Sequence, residues 1–396
     1  MKKFSFLFAL SLLASAIAFS PVKAQDEKQA EFERVWYDTC YTKKDVEKCY
    51  AQSKEMLATY PKSQYAPNAQ KIVTNYETNV LLKKVNEKFQ AALQAYYAAP
   101  DGNKLDQLFA AGEEFLKVVP GNHFVVGQMA LAGAHGSIGA IYKNLDKVKG
   151  YGEDALKLFE SSTPAEGWKQ EDWNNLREIV QAQINQFLGF RLIETKGDKA
   201  QAAEYLTKST MVKNKDGAGW KDPNNYWLRV GIYLEEYQSL RAEYDKLTDE
   251  QKNGDPGKEL LKKVNEVMDS KLIPDYARVM ATATKPETKS LYDAAKGYLD
   301  AYWNYRTKAP EKSAEFVKSF SADPTVASPA IPVKVEENDP VSLQGPTSPT
   351  AGSIKLSSGG GGAPGGGGKA AANGGGKTTT TKGKAAPKAA PKKRKR

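Results

Sequence analysis

The sequence has few of the side chains that most often carry catalysis or bind metal ions. Its 396 residues include only two histidines and two cysteines. His123 and His135 are twelve positions apart, a spacing that does not place them on one face of a helix. Two thiols with two separate imidazoles also make a poor metal site. The sequence therefore predicts neither a metal centre nor a cofactor.

The motifs of common enzyme and nucleotide-binding families are missing as well. No H-E-x-x-H, G-x-S-x-G or P-loop pattern occurs. Gly133, Gly136 and Gly139 lack the Gly-Lys-Ser/Thr ending of a phosphate loop and follow no strand, so they favour close helix–helix contact instead. The acidic pair Glu113–Glu114 fits a solvated helix face better than an acid–base dyad. We therefore expect a protein that is not an enzyme.

The two cysteines are too far apart in sequence to form a redox motif. Cys40 and Cys49 are separated by eight residues, not by the two residues of C-x-x-C. In an oxidising compartment they can close a short disulfide loop. Alternatively, they are two small buried thiols, and the sequence alone leaves both interpretations open.

The only long apolar run lies at the N-terminus. Lys2 and Lys3 precede the apolar run 4–19, and a plausible cleavage point follows Ala24. The run has about 16 residues, fewer than the roughly 20 needed to span a bilayer. We expect residues 1–24 to be a secretory signal peptide. The mature chain is then exported, to a bacterial periplasm or envelope, and has no transmembrane span.

Acidic residues are absent from the last part of the chain. Residues 340–396 contain eleven Lys and Arg, no Asp or Glu, and 14 of the 32 glycines, whereas residues 25–339 have a net charge of −4. Such a basic, glycine-rich composition cannot bury enough apolar surface to offset chain entropy. We predict that residues 320–396 form a disordered tail rich in Pro, Gly and Lys.

Helical patterns dominate the body between the two ends, and strand patterns are nearly absent. Apolar residues recur mostly every four positions along one predicted helix face: Ile72, Tyr76, Val80, Val85, Phe89, Leu93 and Tyr97. Helix starts are predicted at Thr163-Pro164, Asp222-Pro223 and Thr248. Helix ends are predicted at Pro61, Pro100, Pro120 and Asn253-Gly254.

Two segments of the body repeat each other. Residues 49–61 and 108–120 align without gaps, and both end in a bulky apolar residue followed by Pro. A further segment has a Leu-Gly pair, a large apolar residue, a Gly turn and then small and aromatic positions: Leu188, Gly189, Leu192, Gly197, Asp198, Ala202, Ala203, Tyr205, Leu206 and Ser209. This order resembles tetratricopeptide repeats.

The segment differs from the repeat family at two positions, and the resemblance implies a fold and a kind of partner. Ile184 stands where the repeat family has Trp, and the late Pro is missing. The resemblance implies an all-α fold over residues 25–319, an α-solenoid of antiparallel helix pairs. The common role of such repeats is protein binding, so the resemblance implies a protein partner.

Aromatic residues cluster near predicted helix starts and loops of the body. They are Trp168, Trp173, Trp220, Tyr226 and Trp227. Aromatic side chains in such places can form a concave surface that binds a peptide or a sugar. The alternative, which we favour, is that they hold adjacent helix pairs together.

The end of the tail resembles the Ala/Pro/Lys tails of linker-histone-type proteins, which bind polyanions by neutralising charge. The residues expected to do this are Lys382, Lys384, Lys388, Lys392, Lys393, Arg394, Lys395 and Arg396. In an envelope the polyanions would be phosphorylated lipids, acidic glycans or extracellular DNA. The alternative is a spacer without a partner.

These features predict a non-catalytic scaffold in which the helical body binds a protein partner and the tail contacts an anionic surface. A weak electrostatic contact raises the local concentration for the second contact. One alternative is a polyanion- or nucleic-acid-binding protein that acts through its tail. Another is an enzyme with a site inside the helical array, which would require a polar pocket with a perturbed titratable group.

Overall fold

The computed structural model describes residues 20–334, with side chains from Asp26 onward. Helices account for nearly all regular structure in this range, and the single β-bridge there joins Lys213 to Gly219. The expected all-α class is confirmed. Most of the predicted signal peptide and all of the basic residues assigned to polyanion binding lie outside the described residues.

The described helices follow one another with short connections. They are α1 Ser20–Tyr37, α2 Val46–Thr59, α3 Ala66–Tyr76, α4 Leu82–Ala98, α5 Gly102–Val118, α6 His123–Ile138, α7 Leu145–Leu158, α8 Gln170–Glu194, α9 Lys199–Thr210, α10 Pro223–Asp245, α11 Asp249–Asn253, α12 Asp255–Val267, α13 Ile273–Thr282, α14 Lys289–Thr307 and α15 Ser313–Lys318. Wider π-helical turns occupy Asp38–Thr42, Glu77–Leu81 and Met268–Leu272, and short 3₁₀ turns occupy Pro286–Thr288 and Pro310–Lys312.

Two of the three predicted helix starts are confirmed. The Asp222 carboxylate accepts a hydrogen bond from the Asn224 amide at 2.9 Å at the start of α10. Thr248 forms a reciprocal capping box with Gln251. The start expected at Thr163 is wrong, since α8 begins only at Gln170. Gly167 has a φ of 83°, which a right-handed helix cannot continue through.

The predicted helix ends are confirmed, but the predicted apolar face along α3 and α4 is only partly correct. The helices end at Thr59, Ala98, Val118 and Asn253, next to the Pro or Gly signals. On the apolar face, Val80 is 40% exposed, whereas Val73 and Tyr76 are buried. The π turn Glu77–Leu81 adds a residue to the helical repeat and rotates the face.

Most of the buried apolar side chains form two cores. The first core extends from Val85 to Leu188 and is built by α4 to α8. The second core extends from Tyr226 to Phe320 and is built mainly by α10 and α12 to α15. A small cluster around Leu206 lies between them in sequence, and another around Trp36 lies near the N-terminus.

The glycines of α6 are sites of close helix packing, as predicted. A Cβ at Gly133 would come within 2.9 Å of Val148, and a Cβ at Gly136 within 2.8 Å of Leu105. Both distances are shorter than side-chain carbons tolerate. These positions therefore let α5 and α7 approach α6 closely.

The segment that resembles a tetratricopeptide repeat forms two packed helices, α8 and α9. Asp198 caps α9, and Leu206 is fully buried. A Cβ at Gly189 would lie 2.7 Å from Cγ of Leu206. The Leu-Gly pair and the apolar positions of the second helix thus meet at one interface.

Cys40 and Cys49 form a disulfide that joins the turn after α1 to the start of α2. At the other end, packing continues past the boundary expected at residue 320. Phe320 is fully buried, and the Lys334 amide donates to the Arg306 carbonyl at 2.9 Å. We call residues 320–334 the C-terminal strap. None of the described helices is both long and apolar enough to cross a bilayer.

Candidate functional site

A cleft of about 440 Å³ lies between elements of the two cores. Residues of α6 and α8 form one wall, and the end of α13 with the residues that follow forms another. The connection between α9 and α10, the 211–222 loop, and the strap residues Ser321 and Pro324 complete the lining. The cleft is therefore assembled from segments distant in sequence.

The 211–222 loop is fixed by hydrogen bonds on both sides. Buried Asn214 donates to Asn175 and Glu178 of α8 at 3.3 and 3.2 Å. At Gly219, with a φ of 82°, a Cβ would lie 2.4 Å from the Ser209 carbonyl oxygen, so only glycine fits there. The loop can therefore present its side chains to the cleft without rearranging.

Asp222 joins this loop to α10 and lines the cleft. Its carboxylate accepts hydrogen bonds from Gln186 Nε2 at 2.7 Å and from the amide and side chain of Asn224 at 2.9 Å. Loss of solvation nevertheless raises the pKa of Asp222, and Lys285 opposes this rise only through space. Across the described residues, no cation lies within ion-pair distance of this carboxylate.

The wall formed by α6 and α8 combines apolar side chains, such as Leu131 and Ile179, with polar groups that are uncharged near neutral pH. His135 lines the cleft, and its Nδ1 lies 2.9 Å from the Tyr96 hydroxyl. Burial lowers the pKa of His135 below its ordinary 6.5, so the ring is neutral at pH 7. Burial also raises the pKa of neighbouring Tyr97 to about 12. Both groups can exchange hydrogen bonds with a ligand without carrying charge.

Charges of both signs lie at the exposed margin of the cleft. Lys215, Lys221 and Lys285 are exposed cationic residues of the lining. Asp216 and Glu287 are exposed acidic residues of the same lining. The margin therefore suits a ligand with carboxylates beside the lysines better than a uniformly basic one.

Arg278 fastens the strap beside the cleft. Its guanidinium group donates to the carbonyls of Pro324 and Val326 at 2.8 and 3.1 Å and lies over the ring of Phe320. Asp323 of the strap pairs with Lys213 of the loop at 2.5 Å. The strap and the 211–222 loop are thus held together where both line the cleft.

Arg278 is itself held by a buried ion cluster. Asp275, which is 1% exposed, accepts from Arg278 at 2.9 Å and from two nitrogens of Arg229 at 2.8 and 2.5 Å. Arg229 also donates to Thr207 of α9 at 3.2 Å. The sequence gives no indication of this cluster, because its members lie on three helices without a shared motif.

The aromatic residues considered for partner binding are mostly core residues. Trp173, Tyr226 and Trp227 are buried, so they have little surface to offer a partner. Trp173 packs against Trp168, which is half-buried, at 5.9 Å between ring centroids. Half-buried Trp220 donates to the Asn214 carbonyl at 3.0 Å. Their contacts hold helices and the loop together.

The structure also bears on the residues considered for metal binding and on the two histidines. Within the range 26–334, no group of three or more His, Cys, Asp or Glu side chains could hold a metal ion. His123 contacts aromatic rings, with Trp173 at 5.1 Å. Sequence reasoning identified Asp222 only as a helix cap and missed Gln186, since nothing in the sequence links the two residues.

Comparison of the chain with protein-family models finds no match. The curated proteins and the solved structures contain no match either.

Proposed function

We propose that this protein is a secreted, non-catalytic scaffold that binds a protein partner in the cleft between its two cores. The observation that carries the proposal is the cleft, whose volume of about 440 Å³ lies within the range of roughly 300–1,000 Å³ for ligand sites. Gln183, Gln186 and Thr288 contribute amide and hydroxyl groups to its walls. Such groups both donate and accept hydrogen bonds, as the backbone of an extended peptide does.

A tetratricopeptide-like solenoid of antiparallel helix pairs would account for this surface. Support comes from the α8–α9 interface, where Gly189 allows close contact with Leu206. Further support comes from the contacts of most described helices with the next helix in the chain. Stacked helix pairs form extended concave surfaces that suit partner proteins.

The basic tail would contact anionic components of a bacterial envelope and keep the scaffold near its partner. Eleven Lys and Arg without an acidic residue in 340–396 support this part of the proposal. The same observation favours one alternative function, polyanion or nucleic-acid binding through the tail alone. The N-terminal apolar run supports export to the periplasm or envelope.

Photo-crosslinking in cells tests the cleft as the partner site. A photoreactive residue replaces Gln183 in the cleft, and a control replaces Lys62, which is exposed and does not line the cleft. We expect a discrete crosslinked partner from the first position only, and its loss when Thr284→Trp narrows the cleft margin. Equal crosslinking from both positions, or insensitivity to Thr284→Trp, would contradict the proposal.

Envelope retention in rising salt tests the tail. The mature protein is compared with a form that ends at Asp339 and with the isolated tail. We expect salt-sensitive retention of the full form only, since counterion release makes such binding strongly salt-dependent. If the isolated tail is retained as well as the full form, the alternative of tail-only function is favoured. Equal retention of the full and shortened forms would remove the anchoring role.

A further inference from the structure

Two buried or partly buried carboxylates near the cleft differ in the groups that surround their negative charge. Asp275 is matched by two guanidinium groups, those of Arg229 and Arg278. Within residues 26–334, the hydrogen-bond donors to Asp222 are the neutral groups of Gln186 and Asn224. A carboxylate removed from water is costly unless a cation accompanies it. Among the described residues, the Asp222 carboxylate thus lacks a direct cationic partner in the wall of a ligand-sized cleft, and Lys285 acts on it only from a distance.

The other helix-capping aspartates of the chain have a different environment. Asp101 and Asp45 cap helices in the same way, and their carboxylates lie 3.4 and 3.6 Å from Lys104 and Lys48. Those pairs are solvent-exposed and lie outside the cleft. Asp198 also caps a helix without an ion pair among the described residues, but it is exposed and does not line the cleft. Its place in the cleft lining thus distinguishes Asp222 from the other caps.

The charges at the margin of the cleft restrict which charged peptide segment could bind there. Lys215, Lys221 and Lys285 outnumber Asp216 and Glu287 at this margin, so a segment that carries only positive charge is repelled on balance. The lysines attract carboxylates that flank a single cation. The basic tail, which has no acidic residue after Asp339, is on this ground a poor occupant.

We propose that the cleft binds a peptide segment with one basic side chain between acidic ones. The basic group lies against Asp222, and the flanking carboxylates lie near Lys215, Lys221 and Lys285. Polar neutral groups such as Gln183 bind the peptide backbone. This inference rests on the proposed function and specifies the chemistry of the partner at the same site.

Asp222→Asn tests the role of the carboxylate with little structural change. Asn and Asp are about equally good helix caps, so α10 keeps its start while the charge is lost. Gln186, which donates Nε2 to Asp222, must turn its amide so that its oxygen accepts from the introduced NH2 group. Asp198→Asn is the control, because Asp198 also caps a helix, by accepting from the Gln201 amide of α9, but does not line the cleft. Thermal melting of both variants should match that of the wild type, which separates binding effects from folding effects.

Two dye-labelled probes are titrated with the mature protein by fluorescence anisotropy. One is acetyl-Ala-Glu-Lys-Glu-Ala-amide, and the other has Gln in place of Lys. We expect wild type and Asp198→Asn to bind the Lys probe about tenfold more tightly, as a charge-assisted contact implies. Asp222→Asn should bind both probes equally. Lys285→Glu should weaken both probes, since each carries the two flanking carboxylates.

Three results would overturn the inference. Equal binding of both probes by the wild type would leave the cleft as a peptide site but remove the role of Asp222. Tighter binding of a peptide of residues 384–396, with the same loss in Asp222→Asn, would make the tail the occupant. Absence of binding by either probe at millimolar protein, together with absence of partner crosslinking at Gln183, would remove both this inference and the proposed function.

Discussion

In the first core the closest helix contacts are made at glycines, and in the second core helices are joined by a buried ion cluster. Gly133 and Gly136 remove the side chains that would keep α5, α6 and α7 apart. In the second core, Asp275 links α13 to α10 through Arg229, and it also pairs with Arg278 one turn further along α13. The first arrangement depends on shape, and the second depends on charge balance.

Aromatic stacking adds to the difference between the two cores. In the second core, Tyr276 stacks on Tyr298 and Tyr302 with ring centroids 5.4 and 6.0 Å apart. In the first core, Phe109 and Phe159 pack as tilted or edge-on rings against neighbouring aromatics. The stability of the two cores should therefore depend on different substitutions, although their helices are equally buried.

Removing the centre of the ion cluster should have the largest effect. Asp275→Ala leaves two guanidinium groups without their shared carboxylate and should lower the free energy of unfolding by about 3–5 kcal/mol. Urea unfolding measures the loss. The control Asp293→Ala breaks an exposed pair with Lys289 within α14 and should cost less than about 0.5 kcal/mol. Similar losses in both variants would show that the cluster is not a special feature of the second core.

Adding one methyl group should change stability with opposite signs at closely packed and at open glycines. Gly133→Ala places a carbon against the branched side chain of Val148 and the ring of Phe109, so overpacking of about 1–3 kcal/mol exceeds the helix-propensity gain of about 1 kcal/mol. Gly150→Ala, in the same core but with open space around it, should stabilise by about 1 kcal/mol. Gly231→Ala and Gly297→Ala should also stabilise. A stabilising Gly133→Ala in thermal melting would contradict shape-limited packing of the first core.

The stability with which the strap is held against the second core should depend weakly on pH. Its ion pair with Lys213 and hydrogen bonds from Thr325 lower the pKa of Asp323 from 3.8 to about 2. This contribution to stability is present above about pH 4 and is lost as the pH falls towards 2. Hydrogen exchange of residues 320–334 should be faster in Asp323→Asn than in wild type at pH 6. The difference should disappear near pH 2, and a constant difference would contradict the assignment.

Deleting residues 340–396 should have the smallest effect on either core. The deleted segment contains no acidic residue and is predicted to be disordered. Helicity by circular dichroism and the melting temperature should therefore equal those of the full mature chain. A clear loss of thermal stability would show that the tail packs against one of the cores.

Local signals in the sequence were reliable where the interacting groups are close in the chain. The cap at Asp222 and the helix ends before Pro61 and Pro120 depend on neighbouring backbone groups, and all were predicted. The start expected at Thr163 failed because Gly167 adopts a left-handed conformation. The apolar face through Val80 failed because a π turn changes the helical repeat.

The extent of the packed chain was also underestimated from composition. The strap has few apolar residues, yet Phe320 is buried and Arg278 binds two of its backbone carbonyls. Composition describes what a segment can bury by itself. Composition cannot predict the hydrogen bonds that an arginine distant in sequence donates to the segment.

The sequence by itself determined the all-helical class, most helix boundaries and the close-packing role of the glycines in α6. Those properties follow from backbone conformation and from spacing within a few turns, which adjacent residues set. Only the tertiary structure decided that Asp222, His135 and Pro324 line one cleft. It also decided that Asp275 has two cationic partners, whereas Asp222 has none within ion-pair range in the described part of the chain. The burial and pairing of a charge depend on groups that the chain brings together from distant positions, and no local pattern encodes them.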